Sequence, residues 1–593
     1  MEMEKKNLAI IILAIVLAAS GIGNVILAIT GGFVVTSAEK KDTITVGFAS
    51  NPATIEPLDT WDVPSFVVER QVAEGLVGYD FQDHPNYRII PLLATEWEWE
   101  SLTKVHFTIR EDVFFHDGTK LDAAAVKWNF DRLMHFLNLT GDLVANETSW
   151  EAFPSALYFH TDGTPIINST AVSGEYNFTI NLNKPYGPFI DLMTFSATYI
   201  LSPASTPRYN YIDLTHGQIV GTGPFKYIHY KADREVRYER YERYWGTGAW
   251  AELLIFRIIE DDTARMTAGL AGQFDYVGGV PKSFISQFIA DDDLHVEDVG
   301  EDLCYFYLEV YSGPPEGEPA MIGGKVNQKW PAEFRRALAL AINYTYIIEE
   351  LQQGYAFSGC PAVPRAMPAY NDSLEGKMAA DYPFGGTYES NVKKARELIM
   401  DLYPAETAGL DPKYPGTTES DWLDLSLETL QVNHHFGNLL NTRLNQLMEN
   451  NFDKIGLDIE VTTRSWGEYL DEGEHTPWEM DIGFVGWCPD YLDPFNMLDP
   501  LFNNISASCF SRVSDPYLIS LLEAAGVTTD PEARQNIYKA IQSVIFDITR
   551  PANPASQCHI SGWVFLIQQV HLNNLKGVGY NVMTMLDCWE WYK

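Results

Sequence analysis

The feature that most constrains this chain of 593 residues lies at its start, where Lys5 and Lys6 precede an almost unbroken apolar run from Leu8 to Val35, interrupted mainly by Asn24. About 20 apolar residues suffice for a helix to cross a bilayer, and this run is longer. A secretory signal has a shorter apolar region, about 7 to 15 residues, although Thr36-Ser37-Ala38 offers a small-residue cleavage site. Residues 1–41 are therefore expected to form an uncleaved membrane anchor, a transmembrane helix. Nothing after Lys41 has an apolar run of that length, so the remainder is expected on one side of the membrane.

Two features suggest the outer side. Asn-x-Ser/Thr sequons occur at Asn138, Asn146, Asn168, Asn177, Asn343, Asn371 and Asn504. The cysteines, Cys304, Cys360, Cys488, Cys509, Cys558 and Cys588, are even in number and none stands in a Cys-x-x-Cys pair. Outside the cytoplasm such a set reads as disulfides rather than as a zinc or redox site. Lys+Arg 41 against Asp+Glu 80 gives a formal net charge of -39, which repels phosphate backbones and excludes nucleic acid as an expected partner.

The length exceeds what one hydrophobic core supports, so two or three lobes are expected. Trp 15, Tyr 31 and Phe 31 suit either a large core or a cleft with flat apolar walls. Ile44, Val46 and Phe48 alternate as a strand over Thr43 to Phe48, as do Val105, Phe107 and Ile109, and then Tyr176, Phe178, Ile180 and Leu182. Ser65 is expected to cap a short helix ending at Gly75, and Asp122 to open one with the stripe Val126, Phe130, Leu133, Met134 and Leu137. Three strand-like stretches between Gly221 and Ile259 precede a helix near Thr263. Further helices are expected after Pro331 (stripe Phe334, Leu338, Ile342, Ile348), over about Asn433 to Asp453, and after Asp530-Pro531 as far as Ile548. Interleaved strands and helices make the fold class α/β.

The sequence holds no His-Glu-x-x-His pair, Gly-x-Ser-x-Gly elbow or phosphate-binding Gly-x-x-x-x-Gly-Lys-Ser/Thr loop. Gly221-Thr222-Gly223 and Gly577-Val578-Gly579 read as turns. His434 and His435 are adjacent, so on a helix they diverge by about 100° and do not chelate as an i, i+4 pair would. Asp291-Asp292-Asp293 reads as a solvated loop. No catalytic residue, metal or cofactor is expected.

Pro91-Leu-Leu-Ala-Thr-Glu-Trp97, Phe107-Thr-Ile-Arg110 with Val113-Phe-Phe-His-Asp-Gly-Thr119, Gly221-Thr-Gly-Pro-Phe-Lys226 with Glu242-Arg-Tyr-Trp-Gly246, and Phe334-Arg-Arg-Ala-Leu-Ala-Leu-Ala-Ile-Asn343 occur in that order. Together they resemble solute-binding protein family 5, the dipeptide and oligopeptide receptors of ABC importers, except that an aspartate is usual where Asn343 stands. Gly486-Trp-Cys-Pro-Asp-Tyr491 looks like the ligand motif of the oligopeptide-binding members. The resemblance implies that Asp490 receives a peptide α-ammonium, with Gly486, Trp487, Cys488 and Tyr491 around it, and that Cys304 bonds to Cys488. A buried ammonium needs such a partner, because an unpaired buried charge is strongly unfavourable. A capping or turn aspartate is the alternative, given Pro489 and Pro494. Those members carry an arginine three residues before the tryptophan; here Phe484 stands there, which leaves recognition of a ligand carboxylate, and with it peptide length and identity, open.

The architecture implied is a two-lobed periplasmic-binding-protein-like fold of class II type with an extra domain: lobe I over 42–75, 201–303 and 569–593, a second domain over 76–200, and lobe III over 304–568. The function implied is capture of a peptide outside the cytoplasm and its delivery to ABC permease subunits by a monomer, with hinge closure over the ligand. The alternatives are a receptor for an oligosaccharide or another small solute, and, from other classes, a surface hydrolase or an adhesion protein.

Overall fold

The computed structural model describes residues 42–593 except 61, 82, 84–86, 140–156, 323–324, 359–361, 375–386, 411–421, 435–438, 507, 547–554, 580, 582 and 584. The anchor expectation falls on residues 1–41, which lie outside the described residues, as do Cys360, His435 and Ile548. Among the described residues no helix is long and apolar enough to cross a membrane.

Strand Thr43–Phe48 buries Ile44, Val46 and Phe48, as its alternation predicts. It lies parallel to Leu253–Ile258 on one side and to Tyr276–Val277 on the other. Glu235–Arg240 and Phe225–Lys231 extend that side of the sheet, so the three stretches expected between Gly221 and Ile259 are strands. In the other direction the order runs through His559–Leu572, Tyr305–Val310, Ile482–Trp487 and Glu428–His434 to Leu457–Thr463.

The strand His559–Leu572 holds this sheet together. Its first residues pair with Tyr305–Val310 and Ala356–Ser358, and its last with Leu294–Glu301 and Tyr276–Val277. One continuous strand thus belongs to both halves of the sheet. Its ladders with Leu294–Glu301 and Tyr305–Val310 shift register at Asp298/Gly300 and at Phe306/Tyr307. Such bulges bend and twist a strand locally.

A separate sheet, Ala94–Ser101, Lys104–Ile109, Asn177–Leu182 and Ile167–Val172, is antiparallel throughout. Helix Ala123–Phe136 packs on it, with the Phe130 ring centroid 5.1 Å from that of Phe178 and the two rings tilted by 39°. Asp122 caps that helix by accepting from Ala125 N. Arg132 on its buried face forms a forked pair with Glu56, at 2.8 and 2.6 Å. Glu56 also accepts from Ile212 N, and Arg132 donates to the carbonyls of Pro207 and Asn210. Both charges are buried and fully hydrogen-bonded, the condition under which such a pair is tolerated.

Several expectations need correction. The first helix is Val63–Arg70, capped by Asp62 rather than Ser65; Ser65 lies inside it and its Oγ accepts from Thr54 N. It ends five residues before Gly75. Asn433 and His434 end the strand Glu428–His434, and the helix begins at Leu439, because the buried alternation Leu430–Val432 carries the strand through them. Helix Ala332–Ala341 stops where Ile342 turns extended, and Ile348 sits in a separate π-turn, Ile347–Leu351.

The bridge Cys304–Cys488 is present. The register Tyr305↔Trp487 places the two cysteines opposite each other at the end of paired strands. The even count does not extend to the others, since Cys509, Cys558 and Cys588 are buried free thiols. Cys588 packs with Tyr276 and Trp591, acting as a small apolar core residue.

Peptide mapping without reductant should recover Cys304 joined to Cys488, and Cys509, Cys558 and Cys588 alkylated only after denaturation. The bridge closes a separation of 184 residues, so Cys304→Ser with Cys488→Ser should lower unfolding stability by about 2–5 kcal/mol. Glu56→Gln should lose about 3–5 kcal/mol in denaturant titrations, because it strands a buried guanidinium.

Candidate functional site

A cavity of about 240 Å³ opens among residues far apart in sequence. Its walls come from the first helix and the chain after it (Phe66 to Phe81), from the 194–199 turn, and from the C-terminal segment from Met583 to Glu590. Between Tyr244 and Met583, Asp490 alone among the described residues reaches the lining.

Local structure explains how Asp490 gets there. Strand Ile482–Trp487 ends at the Cys304–Cys488 bridge, and Pro489 and Pro494 bracket the loop that leads into helix Phe495–Phe502. Asn496, in the first turn of that helix and fully buried, organises the loop. Its Oδ1 accepts from Asp490 N at 2.9 Å and from Trp487 Nε1 at 3.3 Å, and its Nδ2 donates to Asp490 Oδ2 at 2.9 Å. Burial pushes the Asp490 carboxyl up to about 7, against the lowering effect of Asn496. Among the described residues no lysine or arginine forms an ion pair with it. Such a half-buried carboxyl, oriented by a neutral amide, is suited to a cationic group of a ligand.

The other residues of the predicted motif do not line the cavity. Trp487 stands behind Asp490 on Asn496. Gly486 lies against the Phe306 ring, where an added Cβ would sit 2.7 Å from a ring carbon. Cys488 is held in the bridge. Tyr491 is buried with its hydroxyl 3.3 Å from that of Tyr186. Phe484 is buried and stacked 5.6 Å from Trp563, away from the lining. The adjoining residue Leu492 does connect to the wall: its N–H donates to the hydroxyl of Tyr79, a lining residue that in turn donates to Asp191.

Elsewhere in the lining, Glu74 accepts from Thr222 Oγ1 at 2.7 Å, Tyr244 Oη at 2.7 Å and Trp245 Nε1 at 2.9 Å. Burial is the larger effect and raises its carboxyl above the usual range, although all three donors act the other way. Two sequence motifs supply these donors, and a third supports them, for His116 bonds to the Gly223 carbonyl. Gly221 and Gly223 are needed for close approach: a Cβ on either would lie 2.3 to 2.7 Å from the Val72 backbone. Arg70 pairs with Asp587 at 2.7 Å, lies against the rings of Phe81 and Trp589, and neighbours Tyr199.

Sequence reasoning placed Asp490 at a ligand site but missed Asn496, Glu74 and the Arg70–Asp587 pair. A signal for Glu74 existed, since its donors Thr222, Tyr244 and Trp245 fall inside recognised motifs. His434 and the acidic run lie outside the cavity lining: His434 bonds to Asn445, and Asp291 caps its own turn at Asp293 N.

The chain is 25% identical over 525 residues to the dipeptide-binding protein of Escherichia coli (strain K12), covering 84% of this chain and 85% of that protein. Its fold matches the ABC transporter-associated periplasmic binding protein DppA from Helicobacter pylori in complex with the peptide STSA, with a TM-score of 0.70, 19% identity, and coverage of 93% and 99% of the two chains. It also matches NikA from Brucella suis in complex with Fe(III)-EDTA, with a TM-score of 0.71, 18% identity and coverage of 93% and 99%. These are two-lobed α/β periplasmic binding proteins, and the present chain has their fold. Residues 88–508 match the family described as bacterial extracellular solute-binding proteins, family 5 Middle, and the chain belongs to that family.

Proposed function

We propose that this protein is the extracytoplasmic receptor of an ABC importer, capturing a short peptide by its α-ammonium and presenting it to the permease without altering it. The observation that carries this reading is Asp490, a carboxyl without an ion-pair partner among the described residues, held in the cavity lining by Asn496. The peptide specificity named for the Escherichia coli relative and the peptide bound to the Helicobacter pylori neighbour support it. A volume of about 240 Å³ lies just below the usual span of ligand pockets, about 300–1,000 Å³, and favours one or two residues over an extended oligopeptide.

In this reading Asp490 is the ligand partner, and Trp487, Gly486, Tyr491 and the bonded Cys488 position it. Lobe I (42–75, 201–303, 569–593) and the second domain (76–200) supply most of the wall, and lobe III (304–568) brings Asp490. Closure would bend the chain where His559–Leu572, Leu294–Glu301 and Tyr305–Val310 cross between the halves, near the bulged positions. Residues 1–41 would tether a monomer to the outer face of the membrane.

Asp490→Ala should weaken a bound dipeptide by about 3–5 kcal/mol, a factor on the order of hundreds to thousands. N-acetylating the dipeptide should cost the wild type as much and the mutant little. Calorimetry on this cycle rejects the assignment if the two losses add.

The pH dependence follows from the same group. In the empty cavity Asp490 keeps its proton up to about pH 7, whereas a bound ammonium favours the ionised form, so binding expels a proton. Affinity should therefore rise with pH, by at most about tenfold per unit, and level off above about 7. Asp490→Asn should flatten that slope between about pH 5 and 7, as read by binding titrations in two buffers of different ionisation heat.

A further inference from the structure

The cavity's charge is one-sided. Five carboxyl-bearing residues line it, Glu74, Asp80, Asp490, Asp587 and Glu590, whereas Arg70 is the one lysine or arginine in the lining among the described residues. Arg70 is already committed to Asp587 and is held between two rings. Two further arginines stand outside the lining. Arg88 reaches Asp80 at 3.3 Å from an exposed position. Arg110 lies behind Glu74, stacked 4.2 Å over Trp245 and donating to the Leu92 carbonyl. Counting all three, Asp490 and Glu590 have no ion-pair partner among the described residues. Glu590 also neighbours Asp587, which adds to the effect of burial in raising its carboxyl.

The neutral part of the wall points the same way through different physics. Tyr79, Phe81, Phe195, Tyr199, Tyr244 and Trp589 all face the cavity, and aromatic faces attract cations through their quadrupole. Phe81 and Trp589 already hold one guanidinium in this manner. A ligand carboxylate, by contrast, would leave water to meet acids and ring faces with no free donor cation, an uncompensated burial.

We propose that this cavity selects ligands of net positive charge, and that a free terminal carboxylate on the ligand is penalised rather than bound. In peptide terms it prefers short peptides whose carboxylate is amidated or outweighed by basic groups. This rests on the reading of the cavity as the ligand site and of Asp490 as the ammonium partner.

The test is calorimetry on the full-length chain in detergent at about pH 7.5, where α-amines of the series are comparably protonated, with leucyl-leucine, its C-terminal amide, lysyl-leucine amide, N-acetyl-leucyl-leucine and cadaverine. Affinity should rise from the acetylated anion through the zwitterion and the amide to the doubly charged lysyl amide, with the amide at least about tenfold tighter than the free acid. Glu590→Gln with Asp80→Asn should compress the amide-to-acid ratio by about threefold or more, and salt should compress it too. If the free acid binds as tightly as the amide while N-acetylation abolishes binding, the charge selection is wrong and capture by the ammonium stands. If no peptide binds, the peptide reading falls, and cadaverine then decides the charge selection alone: binding upholds it, and no binding overturns it.

Discussion

The structure depends on one strand being shared. His559–Leu572 donates and accepts ladder hydrogen bonds on both halves of the main sheet, so neither half can form its edge without it. The strand lies near the C-terminus, and the first strand of the same sheet begins at Thr43, so the sheet is complete only when nearly the whole described chain is in place. Most of its pairings are non-local, which makes assembly slow and cooperative in the way expected of high contact order. The same arrangement brings the C-terminal Asp587 to Arg70, 517 positions away, and closes the wall on that side.

The recurrent motifs of the chain acquire a physical meaning around Glu74. Gly221 and Gly223 let one backbone touch another at Val72, Thr222 and Trp245 then fall within reach of the same carboxylate, and His116 anchors the turn through the Gly223 carbonyl. The arrangement brings three donors to one carboxyl. It is a means of holding one acid rigid in a wall, which is what a receptor with a preformed site requires.

Much of the fold was legible because the local signals were strong. Period-two alternation marked Thr43–Phe48 and Asn177–Leu182, and Asp122 marked its helix, since burial and capping are both settled within a few residues. The failures occurred where distant partners decide. Asn433 and His434 look helical beside Leu440 and Leu444, yet pairing with Leu457–Thr463 and Ile482–Trp487 makes them strand. An even number of cysteines suggested several bridges, but Cys509, Cys558 and Cys588 pack as apolar groups. At the cavity, Asp490 could be placed by its motif, whereas Asn496 looks like an ordinary helix residue until the loop is folded back upon it.

The state of Asp490 links these layers. A carboxyl held near a pKa of about 7 costs free energy whenever it ionises without a partner, so the loop around it must resist relaxing toward water. Three features supply that resistance: the Cys304–Cys488 bridge fixes the strand end, Asn496 bonds both the backbone and the side chain of Asp490, and Leu492 is tied to Tyr79 on the facing wall. Those constraints are neutral hydrogen bonds and a covalent link, none of which satisfies the carboxylate's charge. The loop is thus constrained in geometry while Asp490 has no ion-pair partner among the described residues, and in the proposed reading a cation that enters gains interaction without first displacing a competing ion pair.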